Sequence, residues 1–391
     1  MTSRTRVLVL FGGRSSEHEV SCLSARNVLQ AIDRERYLVT TVGITRDGRW
    51  TLVDGVPTPG ASGRAMPSVP EDGDTVALVQ TRKGPHLVRS RSTAVPCPPR
   101  DALPSPLTQI DPQALLIGED LGPIDVCFPV LHGPYGEDGT IQGLLACIGV
   151  PYVGADVASS AIAIDKGAMK RVFSACGFPQ TPYLTVRRQA WEDDQAAALG
   201  EIERAVTYPL FTKPARQGSS IGIRKARDRG ELVTGIEEAF GYDRVAIVEQ
   251  GVEGIREIEC GVLGNAVVEV TRPGETVHLG PAFYDYEAKY LSPVELRCPA
   301  DVPAGIARTC MAYARQAYFA IGARGMARVD FFYKERTGEV LINEINTLPG
   351  LTPTSMFPPV WAAEGLQFPA LIDRLLELAL EATQPGTHYA P

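Results

Sequence analysis

Two runs, Met326-Ala-Arg328-Val-Asp330-Phe-Phe-Tyr333 and Val340-Leu-Ile-Asn343-Glu344-Ile-Asn346, flank a Thr337-Gly338 turn. Side chains alternate across a strand, so Arg328 and Asp330 share one face of the first run, and Glu344 and Asn346 share one face of the second. Val329, Phe331, Leu341 and Ile345 point the other way, into a core. Such a hairpin is charged on one side and apolar on the other, and charges set among apolar neighbours are costly unless paired or bound to an ion. Two readings stay open here. The oxygens suit Mg²⁺ or Mn²⁺, which retain waters and accept phosphate oxygens, or they form a cross-strand salt-bridge cluster. The loop Thr347-Leu-Pro-Gly350-Leu-Thr-Pro-Thr-Ser355 follows directly and sits beside either arrangement.

The chain opens with Arg6-Val-Leu-Val-Leu-Phe11, then Gly12-Gly13, then apolar Val20, Leu23, Val28, Leu29 and Ile32. That is strand, tight turn and amphipathic helix, the start of an open α/β unit. Tyr37 to Ile44 predicts the next strand. From Asp54 to Pro123 the pattern dissolves under 12 of the 31 prolines, and only segments such as Thr75 to Gln80 read as strand. This stretch, about 46–120, is an insertion. Asp125 to Leu131 is a strand, His132 to Gly139 a loop, and Pro151 to Val153 a further strand. One helix is expected over Asp156 to Cys176. Strands at Tyr183 to Val186, Tyr208 to Lys213 and Val245 to Glu249 then alternate with helices. The last region pairs Glu257 to Val262 with Ala266 to Thr271, and adds a helix over Pro303 to Ile321, the hairpin, and a terminal helix over Phe368 to Leu380. At roughly 150 residues per domain, 391 residues predict two to three domains, here 1–154, 155–251 and 252–391. The fold class is α/β and α+β, with a Rossmann-like first unit.

Composition excludes several functions. Lys and Arg number 38 against 46 Asp and Glu, a net charge of −8, which argues against nucleic acid and anionic membranes and favours small-molecule substrates. No early apolar run is long enough to span a bilayer, and no signal-peptide core follows Met1, so a cytoplasmic protein is expected. The 8 cysteines contain no C-x-x-C pair and the 5 histidines are dispersed, leaving oxygen ligands for any metal. The dipeptide Gly-Lys is absent, so there is no Walker A loop, and no G-x-G-x-x-G follows a strand.

A phosphate cradle is outlined elsewhere: Lys213 at a strand end, followed by Gly218-Ser219-Ser220, small residues that let backbone N–H groups approach an anion. Gly218 to Gly222 also matches the G-x-S-x-G nucleophile elbow of serine hydrolases, which requires a strand-to-helix corner and a later histidine. Gly12 to Ser21, with Glu17 and Glu19, and His132 to Gly139 lie at strand C-terminal edges, where open α/β sheets bind ligands. Tyr284-Asp-Tyr-Glu-Ala-Lys289-Tyr290 reads as a mobile lid or a polar surface loop.

Together these segments resemble the D-alanine–D-alanine ligases of the ATP-grasp superfamily, over nearly the whole chain. The carriers are Glu17-x-Glu19-Val-Ser21, His132-Gly-x-x-Gly-Glu-Asp-Gly139, Asp165-Lys166, Lys213 with Gly218-Ser-Ser, and Glu249. They continue with Arg256-Glu257-Ile-Glu259, the segment 284–290, Arg328-Val-Asp330 and Asn343-Glu344-x-Asn346-Thr-x-Pro-Gly350. Each is weak alone, and their order is specific.

The resemblance implies a three-domain ATP-grasp architecture, ATP between the second and third domains, and a homodimer. It implies ligation of two D-alanines through D-alanyl phosphate, for peptidoglycan precursors. Asp330, Glu344 and Asn346 would hold two Mg²⁺ (or Mn²⁺) ions. Lys166, Lys213 and Lys289 would bind phosphates under Gly218, Ser219 and Ser220, with Asn343 and Glu344 also at the nucleotide. Glu249 and Val252 match adenine positions, Glu257 the ribose position, and Phe283 would pack on the base. Arg328 and the Gly350 N–H match an oxyanion pair. Glu17 would orient the first D-alanine's ammonium, His132 its carboxylate, and Ser355 the second D-alanine's carboxylate. Ser219 and Tyr290 would tie loop and lid to Glu17. Rival readings are a D-lactate or D-serine ligase, or a nucleotide-binding regulator without catalysis.

Overall fold

The computed structural model describes residues 4–55, 66–90, 118–278, 294–352 and 354–382. Its first part runs β1 (Thr5–Gly12), α1 (His18–Ala31), β2 (Tyr37–Ile44), β3 (Trp50–Leu52), β4 (Val76–Thr81), β5 (Gly84–Ser90), β6 (Gly118–Pro123), β7 (Val126–Val130) and α2 (Thr140–Ile148). β1 lies between β2 and β7, parallel to both, in the order β3-β2-β1-β7. Val7 to Phe11 are buried on both faces, which is why β1 reads as a continuous apolar run rather than an alternation. The expected strand at 151–153 is reduced to a single bridge, Tyr152 beside Cys127.

The insertion is more ordered than its sequence implies. β4, β5 and β6 form a three-stranded antiparallel sheet. Val76 and Leu87 join a core with Leu8, Leu10, Ile141 and Leu145, so this small sheet is anchored on the first one. Pro85 near the start of β5 and the polar, glycine-containing Gly118–Pro123 hide those two strands from a pattern reading.

The middle part runs α3 (Val157–Ile164), α4 (Lys166–Ala175), β8 (Tyr183–Arg187), α5 (Arg188–Asp193), α6 (Gln195–Ala205), β9 (Leu210–Pro214), β10 (Arg224–Ala226), α7 (Arg229–Phe240) and β11 (Val245–Gln250). Its antiparallel sheet has the order β10-β9-β11-β8. The single helix expected over 156–176 is two. Asp165 leaves the helical region at φ −81°, ψ 95°, and its carboxylate accepts the Ala168 N–H at 2.9 Å, capping α4. The break puts Lys166 in the first turn of a helix.

The last part runs β12 (Ile255–Gly264), β13 (Val268–Val270), β14 (Gly274–His278), β15 (Val294–Arg297), α8 (Ala304–Ala320), β16 (Gly325–Lys334), β17 (Glu339–Asn346), α9 (Phe357–Ala363) and α10 (Phe368–Glu381). The sheet order is β15-β14-β12-β16-β17, with β13 on β12. α8 covers one face through Cys310, Ala314, Ala317 and Tyr318, packed on Val329, Phe331, Ile342 and Ile345. Here one orientation departs from strict alternation. The register passes from Asp330↔Glu344 to Phe331↔Ile342, so Asn343 is an extra residue on β17. This bulge turns Ile342, not Leu341, toward the α8 core, and pairs Leu341 with Phe332. A further core joins β1, β7 and α1 to α9 and α10, through Val9, Phe11, Phe128, Phe357, Trp361, Leu371 and Leu375.

Candidate active site

The face of β16 and β17 opposite α8 gathers the charges. Arg328 pairs with Asn346 and Asp330 with Glu344 across the ladder, and Glu259 of β12 lies opposite Asp330 on the other side. The Arg328 guanidinium donates from Nε and a terminal nitrogen to the two Asp330 oxygens, each at 2.7 Å, and pairs with Glu259 Oε2 at 2.7 Å. Glu259 also accepts from Thr276 Oγ1 at 2.7 Å. Burial and the charges of Glu259 and Glu344 push the Asp330 carboxyl up to about 7, against the pull of Arg328. Among the described residues no group of three His, Cys, Asp or Glu forms a metal cage. Two carboxylates and an amide on one sheet face fit a hard divalent cation that takes its remaining ligands from phosphate and water.

A second cluster is cationic. In the first turn of α4, Lys166 donates to the Gln217 carbonyl at 2.6 Å. Burial lowers its pKa, and the negative field of Glu344 opposes that shift. Lys213 at the end of β9 donates to Glu249 Oε2 at 2.6 Å. Burial works against the Lys213 charge, but Glu249, with Glu344 and Glu257 beyond it, holds its pKa above the ordinary value. Lys170, one turn after Lys166, reaches Glu249 Oε1 at 3.1 Å. Burial would raise the Glu249 carboxyl, yet Lys170 and Lys213 bring it down to about 2. Sequence reasoning missed Lys170, because a lysine in an amphipathic helix reads as solvent-facing, whereas this one is 1% exposed.

The loop after β9 joins this cluster to the first sheet. Ser219 Oγ donates to the buried Glu17 carboxylate. Ser219 and Ser220 both have positive φ, 48° and 59°, a strained pair in a loop that turns its backbone inward. A methyl at Gly218 or Gly133 would lie 2.7 or 2.5 Å from Glu17 Oε2, so the Glu17 carboxylate or the loop would have to shift. The segment leads into strand β10, antiparallel to β9, and not into a helix, so the nucleophile-elbow reading of Ser220 fails. Downstream, His278 is engaged by Glu257 at 3.0 Å, while His388 lies outside the described residues.

Glu17 and His132 come from the two edges that flank β1 and β7. Ser15 Oγ donates to the His132 carbonyl at 2.7 Å, and the His132 ring contacts Ser24 Oγ at 3.0 Å and Glu137 at 3.3 Å. Burial opposes the imidazolium, but Glu137 and Glu17 raise its pKa above the ordinary value. Both ring nitrogens are engaged, which fixes the orientation of the His132 ring. His18 is structural: the Val69 N–H donates to Nε2 at 3.1 Å, which leaves the proton on Nδ1, donated to the Gly13 carbonyl at 2.7 Å.

The loop after β17 closes the cluster. The Leu348 N–H donates to Asn346 Oδ1 at 2.9 Å, and Asn27 Nδ2 donates to the Leu351 carbonyl at 3.2 Å. Ser355 packs against Gly350 with no room for a Cβ, and its hydroxyl shares a hydrogen bond of 2.8 Å with Thr352. Val252 follows β11, and Asn343 is the bulge residue. Phe283, Lys289 and Tyr290 lie outside the described residues. Among the described residues, no helix is long and apolar enough to cross a membrane.

The family described as D-ala D-ala ligase N-terminus matches residues 6–155, and D-ala D-ala ligase C-terminus matches residues 172–377. A D-alanine–D-alanine ligase of Paenarthrobacter aurescens is 42% identical over 388 residues, 97% of this chain and 96% of that protein. The solved D-alanine–D-alanine ligase of Coxiella burnetii superposes with a TM-score of 0.75 at 30% identity, covering 97% of this chain and 95% of that one. The VanG D-Ala:D-Ser ligase of Enterococcus faecalis gives 0.77 at 32% identity, covering 96% and 100%. With both halves matched and a relative at 42% identity along nearly its whole length, the chain belongs to the D-alanine–D-alanine ligase family.

Proposed function

We propose that this chain joins two D-alanines at the expense of ATP, through a D-alanyl phosphate, to make a peptidoglycan precursor. The observation that carries the reading is the direct pairing of Asp330 with Glu344 and Arg328 with Asn346, all on the sheet face opposite α8. In this reading residues 1–154 bind the first D-alanine, and ATP lies between 155–251 and 252–391.

Lys166, Lys213 and the backbone of Gly218, Ser219 and Ser220 hold the phosphates, and Asn343 and Glu344 border the nucleotide. The backbone of Glu249 and Val252 bounds the base, and Glu257 takes the ribose. Asp330, Glu344 and Asn346 would bind two Mg²⁺ ions, which supply charge neutralisation to the transferring phosphoryl group. Glu17 orients the ammonium of the first D-alanine, and His132 faces its carboxylate. That carboxylate takes the γ-phosphoryl group and ADP leaves; the amine of the second D-alanine, whose carboxylate is held by Ser355, then attacks the acyl carbon, loses its proton and expels inorganic phosphate. Arg328 and the Gly350 N–H are fixed donors for the oxyanion, the kind of group whose removal costs about 10²- to 10³-fold in rate. Glu259 and Asp330 both hold the Arg328 guanidinium, which favours a guanidinium that stays in place. Ser219 on Glu17 closes the loop over an intermediate that water would destroy. Lys289 on the γ-phosphate, Phe283 on the base and Tyr290 with Ser219 rest on resemblance alone.

The test is phosphate release from ATP with Mg²⁺ and D-alanine. Release that D-alanine does not stimulate, or that L-alanine stimulates equally, rejects the reading. The likeness to a D-Ala:D-Ser ligase supports a second reading, in which D-serine is the second substrate. Product masses from mixtures of D-alanine, D-serine and D-lactate separate the two.

A further inference from the structure

Lys170 is 1% exposed and Glu249 is 3% exposed, and the carboxylate of Glu249 lies between two ammonium groups, 3.1 Å from Lys170 and 2.6 Å from Lys213. A buried lysine is expensive, and Glu249 needs only one partner to be neutral. The triad therefore carries one surplus positive charge. Lys170 cannot deliver it outward. Its ammonium sits under the Tyr183 ring at 5.3 Å and beside Thr181 Oγ1 at 3.4 Å. Lys213, the other arm, is the one within the field of Glu344 and Glu257 on the last sheet. Lys170 stands one helical turn from Lys166, so α4 presents both toward the same side.

We infer that Lys170 is a positioning residue for the nucleotide site: by sharing Glu249, it keeps that carboxylate from fully neutralising the Lys213 ammonium, which stays available to an anionic phosphate. This rests on the proposed ATP-dependent reading. If Lys170 is replaced by a neutral side chain, Lys213 and Glu249 become a closed, neutral ion pair, and a phosphate must break that pair to reach the lysine.

The experiment compares the full-length wild type with Lys170→Met, Lys170→Arg and the double variant Lys170→Met/Glu249→Gln. Equilibrium binding of ATP with Mg²⁺ is read by calorimetry, and Tm by thermal shift. The triad's net charge is +1 in the wild type and the arginine variant, zero in Lys170→Met, and +1 again in the double variant. Lys170→Met should bind ATP about tenfold more weakly, the factor that corresponds to about 1.4 kcal/mol. Lys170→Arg and the double variant should recover most of the loss. A purely structural lysine would lower Tm in Lys170→Met without weakening nucleotide binding, or would leave the double variant as weak as the single one. Either result overturns the inference. If Lys170→Met does not fold, the arginine and double variants still decide it. The wild type's D-alanine-stimulated phosphate release is measured alongside, so failure of the ligase reading appears there and not in the binding series.

Discussion

Gly218→Ala adds one methyl group at the point where the phosphate loop meets the first sheet. The new Cβ would lie 2.7 Å from Glu17 Oε2, about 0.7 Å short of the 3.4 Å at which ordinary contact begins. Glu17 is buried and cannot swing away into solvent, so the displacement falls on the loop and on the Ser219–Glu17 hydrogen bond. A misplacement near 1 Å costs about 10²-fold in rate when it touches the reacting geometry, so kcat/KM should fall roughly 10- to 100-fold. The strain, about 1–3 kcal/mol by the usual cost of overpacking, is released locally, and Tm should stay within a few degrees. The assay is D-alanine-dependent phosphate release with a parallel thermal melt. A kcat/KM within about twofold of wild type, at unchanged Tm, would refute the reasoning that loop closure on Glu17 belongs to the working site.

Removing the guanidinium in Arg328→Met takes their shared ion-pair partner from the buried Glu259 and Asp330, a loss of about 3–5 kcal/mol of stability. Mg²⁺ should restore part of it, so the Tm deficit must be smaller in Mg²⁺ than in EDTA; equal deficits argue against an ion at these carboxylates. Asp165→Ala should cost about 0.5–2 kcal/mol through loss of the α4 cap, and should also raise the KM for ATP because Lys166 is set by that turn. An unchanged KM would separate the cap from the site. Glu249 titrates in the folded chain near 2, below its ordinary value, so its pairing adds stability above the ordinary carboxylate pKa and loses it as pH falls toward 2. Glu249→Gln should therefore flatten stability against pH between about 4.5 and 2, and a slope equal to that of wild type contradicts the assignment.

The hairpin was legible because period-2 alternation in Arg328, Asp330, Glu344 and Asn346 does not depend on anything distant. The bulge at Asn343 was not legible: alternation read straight through it misassigns Leu341, and nothing local marks an extra residue that the register of β16 accommodates. Asp165 carried a readable cap signal, but the apolar spacing on either side is continuous enough to mask the break. β5 and β6 escaped because their stability comes from partners across the small sheet and from the core beneath, not from their own propensity. Lys170 and Glu259 illustrate the opposite limit. Charge in a sequence defaults to solvent, and only the packed structure shows a lysine sealed against a carboxylate, or an acid sharing a guanidinium with its cross-strand neighbour. The segment around Tyr290 lies outside the described residues.

The core that unites β1, β7 and α1 with α9 and α10 bears on how this protein is made. Leu371, Leu375 and Phe357 pack against the same cluster as Val9, Phe11 and Phe128, and Arg36 is tethered to Asp373 and Glu377. A nascent chain that has left the ribosome only as far as β17 thus exposes an oily wall on its oldest segment. That wall is covered only once α9 and α10 have emerged, and a product truncated ahead of Phe357 should leave it open to solvent.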